Sequence, residues 1–168
     1  MTSTEPRAVD LPRERRGRWL RRIGLSCFTL LVLAGLLGFL GVRTTTDSGR
    51  DGELEVRLTR AEIARPALAV PYRLVISRAG GFDEPIEVRV TTSYLESFDE
   101  NGANPDPDGS TTDGDDTVWT FGAPDGDVLT VWLDTRVEPG VQWRRSGRTT
   151  VSTGDELVVI DHPIWILP

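Results

Sequence analysis

Residues 23–42 read IGLSCFTLLVLAGLLGFLGV, twenty residues without a charge. At about 1.5 Å of rise per residue, a helix of this length spans roughly 30 Å, the thickness of a bilayer's hydrocarbon core. Twelve of the twenty are Leu, Ile, Val or Phe. At roughly −0.3 to −0.6 kcal/mol each near mid-membrane, they supply about −4 to −7 kcal/mol towards insertion. Ser26 and Thr29 can return their hydroxyls to backbone carbonyls of the same helix. The stretch therefore reads as a transmembrane helix. It divides the 168 residues into a tail (1–22), the helix (23–42), a polar stalk (43–52) and a C-terminal domain (53–168).

The two flanks differ in charge. Residues 1–22 carry seven Arg against Glu5, Asp10 and Glu14, a net of +4, whereas residues 43–168 carry 12 Arg against 23 acids, a net of −11. The positive-inside rule then predicts a cytoplasmic tail and an extracytoplasmic C-terminal domain in a single-pass plasma-membrane protein, with Trp19 at the inner interface. A secretory h-region is usually ~7–15 residues and ends in small residues. Here the run is longer and closes on Phe39-Leu40-Gly41-Val42-Arg43, so an uncleaved anchor is expected, a processed export signal being the alternative. An acidic domain argues against nucleic acid as a partner, since phosphate binding needs a basic face. The bilayer is the first partner expected.

Within the helix, Cys27, Ala34 and Gly41 recur every seven residues and Gly38 follows Ala34 by four. Small residues so spaced leave a smooth face on which a second helix can approach closely. Another membrane protein, met through this face, is the second expected partner.

Beyond the stalk the apolar period changes to two. Residues 53–59, 72–78 and 86–92 alternate apolar and polar side chains, and 117–121, 128–136, 148–152 and 156–161 are further strand candidates. Gly- and Pro-rich turns separate them, and Thr153-Gly154-Asp155 is short enough for a hairpin. Seven short strands in about 115 residues predict an all-β antiparallel sandwich of immunoglobulin-like type. Trp119 and Trp132 are expected in its core, and 164–167 docked against a sheet. Trp143, in a loop beside Arg144 and Arg145, is the expected partner contact, since Trp and Arg dominate interface hot spots.

Chemistry is harder to find. One Cys and one His exclude a disulfide framework and a multi-histidine metal centre, and no Gly-x-Ser-x-Gly elbow is present. Residues 99–116 (DENGANPDPDGSTTDGDD) are the most conspicuous acidic stretch. Asp99, Asn101, Asp106, Asp108, Asp113 and Asp115 are the oxygen donors that a Ca2+ ion would take, although the register fails the EF-hand pattern. The default reading is a solvated acidic connection without a cofactor.

Arg78-Ala79-Gly80-Gly81-Phe82-Asp83, Phe98-Asp99-Glu100-Asn101-Gly102, Pro105-Asp106-Pro107 and Gly126-Asp127-Val128-Leu129-Thr130-Val131 carry a family resemblance. On these residues the chain resembles short, membrane-anchored extracytoplasmic proteins of high-GC bacteria, a group without an assigned activity. Its strand spacing is loosely similar to bacterial immunoglobulin-like modules. The resemblance implies no catalytic residues. The expected function is a non-catalytic accessory or interaction subunit of another membrane or envelope protein. The alternative is a tethered binding module for an envelope ligand, glycan or Ca2+; an envelope enzyme would need a carboxylate pair in a cleft.

Overall fold

In the computed structural model, backbone is described for residues 11–36 and 41–168, and side chains for all of these except 11–15, 100 and 101. Two compact units, residues 1–40 and 41–168, divide the chain.

The first unit holds helix α1, Leu11–Leu36. Pro12 stands in its first turn, where a missing N–H breaks no hydrogen bond. Large apolar side chains are exposed along it, Phe28 and Leu36 among them. A helix apolar on every side is stable where its surroundings are apolar too. Arg16–Leu36 is long and apolar enough to cross a membrane. The helix begins earlier than the apolar run, and Gly41 and Val42 lie outside it: Val42 packs against the core of the second unit.

The second unit is built on ten strands and one short helix: β1 (Arg43–Asp51), β2 (Leu54–Ala64), β3 (Ala69–Arg78), β4 (Ile86–Thr91), α2 (Thr92–Leu95), β5 (Phe98–Asn104), β6 (Gly109–Asp113), β7 (Asp116–Phe121), β8 (Val128–Val137), β9 (Trp143–Thr153) and β10 (Glu156–Ile166). All seven expected strands are present. Alternation decides which side chains turn inward: Leu54, Val56 and Leu58 on β2, and Ile86, Val88 and Val90 on β4, are fully buried. Each such burial is worth about 1.5–3 kcal/mol. The β9–β10 hairpin closes where expected, with Gly154 at φ +54°, a left-handed conformation that glycine adopts without strain.

The strands run in the order β5-β8-β3-β2-β10-β9-β4-β7-β6, with β1 also laddered to β2. Tyr72 on β3 reaches across the interior to Thr149 on β9, Oη to Oγ1 at 2.6 Å. Those strands are not sheet neighbours, so the sheet curls over its own core. It is also mixed: Ile63 and Ala64 of β2 pair in parallel with Trp165 and Ile166 of β10. The expected sandwich is thus met as a sheet-rich domain, but not as a purely antiparallel one.

Three further differences have identifiable causes. Residues 43–51, expected as a stalk, form β1, whose partners run from Arg43–Ile63 to Asp51–Leu54. Thr46 and Thr59 join hydroxyls across this ladder at 2.9 Å. The acidic stretch 99–116 is not a free loop but contains β5, β6 and the start of β7. Trp119 is buried, but Trp132 is 54% exposed. On β8 it is Leu129, Val131, Leu133, Thr135 and Val137 that face the core, leaving Trp132 on the outer face under the Arg73 guanidinium, 5.2 Å from its ring centre.

Candidate interaction surface

The interior beneath one end of the domain is unusually polar. His162 on β10 is 1% exposed, and its Nε2 lies 2.7 Å from Thr149 Oγ1, which also meets Tyr72. Its Nδ1 has no hydrogen-bond partner among the described residues. We assign the proton to Nε2, donating to Thr149, because a bare Nδ1 lone pair is cheaper to bury than an unmatched N–H. The Tyr94 ring stands edge-on to His162 with centroids 4.6 Å apart, and Phe98 packs on its other flank at 5.0 Å. Desolvation raises the Tyr94 phenol well above its ordinary value. Desolvation, and then the Arg60 charge, lower the His162 imidazole to about 4.

Gly147 allows this packing. A Cβ there would lie 2.6 Å from both His162 Cε1 and Tyr94 Cγ. Both rings are buried, so Gly147→Ala is expected to destabilise the domain by about 1–3 kcal/mol through overpacking. An unchanged thermal midpoint would show that the rings can shift.

Arg60, buried beside this group, ties three strands together. Its Nε and a terminal nitrogen each lie 2.8 Å from Asp47 Oδ2 on β1. Its other terminal nitrogen donates to the carbonyls of Ala61 and, on β10, Pro163.

Above this interior, β9 runs on past its last β4 pairing, Val90–Thr149, so residues 143–148 continue paired with β10 alone. The registers bring four strands into one row: Arg43 beside Ile63, Ile63 beside Trp165, and Trp165 beside Arg144. Trp143 pairs with Ile166 in the next row and Arg145 with Ile164 in the one behind. Trp143 is 65% and Trp165 46% exposed, and Arg43, Arg144 and Arg145 are exposed with them. The sequence marked Trp143, Arg144 and Arg145 for exposure. It missed Trp165, whose place beside Arg144 depends on a pairing 21 residues away.

The other nominated residues do not converge. Asp99 lies on β5 opposite Arg136, at one end of the strand order. Asp106 is exposed between β5 and β6, and the Asn101 side chain is outside the described ones. Asp108 accepts from the Gly122 N–H at 2.7 Å, while Asp113 pairs with Arg89 at 2.7 Å, near exposed Asp115, at the opposite end of β6. Folding the stretch into strands sets Asp108 and Asp113 at opposite ends of β6, each engaged with a partner of its own. Among the described residues no three His, Cys, Asp or Glu side chains are placed to hold a metal ion. On α1, Cys27 is exposed and Ala34 half-buried; Gly38 lies outside the described residues, and Gly41 belongs to the second unit rather than to the helix.

Two of the concavities among the described residues contain side chains that bear on function. One of about 340 Å³ is lined by Arg78, Asp83, Glu84 and residues 153–156. Arg78 and Glu156 close it at 2.6 Å, and the Arg78 hydrogen bond, with the Glu53 N–H, holds the Glu156 carboxyl below its ordinary value. The second, about 460 Å³, lies between Trp132, Asn104 and Asp134. The sequence matches no known family model, and no curated protein is detectably similar to it.

Proposed function

We propose that this chain is a single-pass, plasma-membrane-anchored extracytoplasmic protein that serves as a non-catalytic accessory or interaction subunit of another membrane or envelope protein. The observation that carries this reading is α1, which presents apolar side chains on every side beneath a strongly basic N-terminal flank. In a bilayer such a helix is satisfied by lipid, and its small residues Cys27 and Ala34, with Gly38 following in sequence, offer a partner helix a close approach. The outer face of β10 adds exposed Leu157 and Val159, an apolar pair suited to a protein contact. The resemblance to anchored extracytoplasmic proteins of high-GC bacteria agrees with this reading.

An immunoglobulin-like origin for the domain is part of the proposal. The order β5-β8-β3-β2 matches the D-E-B-A sheet of that fold, and β10-β9-β4 matches G-F-C. The departure is β5, which precedes β7 in sequence where the D strand should follow the strand beside C.

Mild-detergent co-purification from native membranes tests the subunit reading. A partner recovered with the native helix is expected to be lost with Ala34→Leu/Gly38→Leu, because two isobutyl groups hold a facing helix away. Equal recovery from both would remove the helix from the interface.

The second reading, a tethered module for an envelope ligand, is favoured by one observation. Exposed Trp132, backed by Arg73 and bordered by Asn104 and Asp134, combines a flat apolar ring with hydrogen-bonding groups, as glycan recognition requires. This reading expects indifference to the helix substitutions and loss of function in Trp132→Ala.

A further inference from the structure

We propose that the β9–β10 end of the domain rests on the headgroup layer of anionic phospholipid, with Trp143 and Trp165 at the interface and Arg43, Arg144 and Arg145 among the phosphates. This rests on the anchored reading above and assigns the Trp143–Arg145 segment to lipid rather than to a protein.

Covalent continuity argues first. The uncharged run extends in sequence to Val42, and the domain begins at Gly41. Whatever attitude the domain takes, Arg43 is the residue that follows this run. Arg43, Ile63, Trp165 and Arg144 occupy one row across four strands. At about 4.8 Å between neighbouring strands, the row places Arg144 roughly 15 Å from Arg43, within reach of the same headgroup layer. Chemistry argues second. Two exposed Trp flanked by Arg are what an interface selects: indole bodies apolar, N–H and guanidinium groups wet.

Charge argues third. The domain is net −11, yet the registers set Arg43 and Arg144 in one row with Trp165, and Arg145 next to Arg144.

Fluorescence quenching by brominated acyl chains tests this in the full-length protein reconstituted into phosphatidylcholine–phosphatidylglycerol vesicles. Trp119 and Trp132 remain in every variant as a constant background. Trp143→Phe/Trp165→Phe leaves Trp19 to report on the helix, Trp19→Phe leaves the two rim indoles, and the triple variant gives the baseline. Both partial variants are expected to be quenched above that baseline. Reversing Arg144 and Arg145 to Glu in the Trp19→Phe protein should lower the rim signal, since each Arg near an anionic surface favours docking about fivefold. Quenching of Trp19 with none at the rim overturns the headgroup contact alone. Absence of quenching at Trp19 overturns the anchored reading on which the contact depends. Trp143 and Trp165 are exposed, and an unchanged near-ultraviolet dichroism of buried Trp119 confirms that each variant is folded.

Discussion

Asp47→Ala is expected to cost the domain about 3 kcal/mol, more than Arg60→Leu, although both remove the same ion pair. The asymmetry comes from what each substitution leaves behind. The Arg60 side chain is 6% exposed and that of Asp47 34%. Without Asp47 a guanidinium stays buried with only the Ala61 and Pro163 carbonyls as acceptors. Removing one member of a buried pair costs roughly 3–5 kcal/mol, and those two carbonyls put this case at the lower end. Without Arg60, the carboxylate of Asp47 turns to water from an already accessible position. The double variant should therefore recover much of the loss seen in Asp47→Ala, as expected when a buried pair is replaced as a unit. Urea denaturation of the three full-length variants, followed through Trp119, measures this. Equal losses in the two single variants would show that Arg60 is stabilised by the carbonyls alone.

Acid is expected to weaken the fold before its carboxylates titrate. His162 has an ordinary imidazole value of 6.5, lowered to about 4 in the folded chain by desolvation and then by Arg60, against smaller opposing effects of Asp47 and Asp161. As pH falls, the unfolded chain takes up the proton first. The contribution is therefore complete above pH 6.5, declines between 6.5 and 4, and levels off below. At 1.36 kcal/mol per pH unit the total is about 3 kcal/mol. Arg78 holds Glu156, and Arg148 holds Asp161, below the ordinary carboxylate range, so their contributions are lost at lower pH. Urea midpoints at pH 7, 6 and 5 should fall steadily for the native chain and stay nearly flat for His162→Gln. Parallel declines in the two would assign the acid sensitivity to other groups.

Both effects arise where sequence reading had least purchase. Alternation on residues 54–58 and 86–90 revealed strands because apolar and polar side chains there take opposite faces. β1 and β6 carry few apolar residues, being exposed strands held by ladder bonds and by pairs such as Arg60–Asp47 and Arg89–Asp113. Polarity of that kind protects an edge from unwanted pairing, and in sequence it resembles a loop. On β8, Val128, Thr130 and Trp132 compete with Leu129, Val131 and Leu133 for the inner face. A period of two identifies the faces without choosing between them. Trp143, Arg144 and Arg145 were legible as an exposed group because a proline- and glycine-rich segment precedes them. Their place beside Trp165 depended on how far the β9–β10 hairpin runs, and that of Arg43 on the parallel β2–β10 pairing, which leaves no local trace.

Because β1 replaces a stalk, the domain is laddered almost from its first residue. Val42 is packed on the core, and β1 is laddered to β2 from Arg43 to Asp51. A pull applied at Arg43 along the strand axis would load those cross-strand hydrogen bonds together, in shear, rather than opening them one after another. The first strand is thus a mechanical joint: tension entering the domain at Val42 is spread over the sheet instead of being absorbed by a flexible tether.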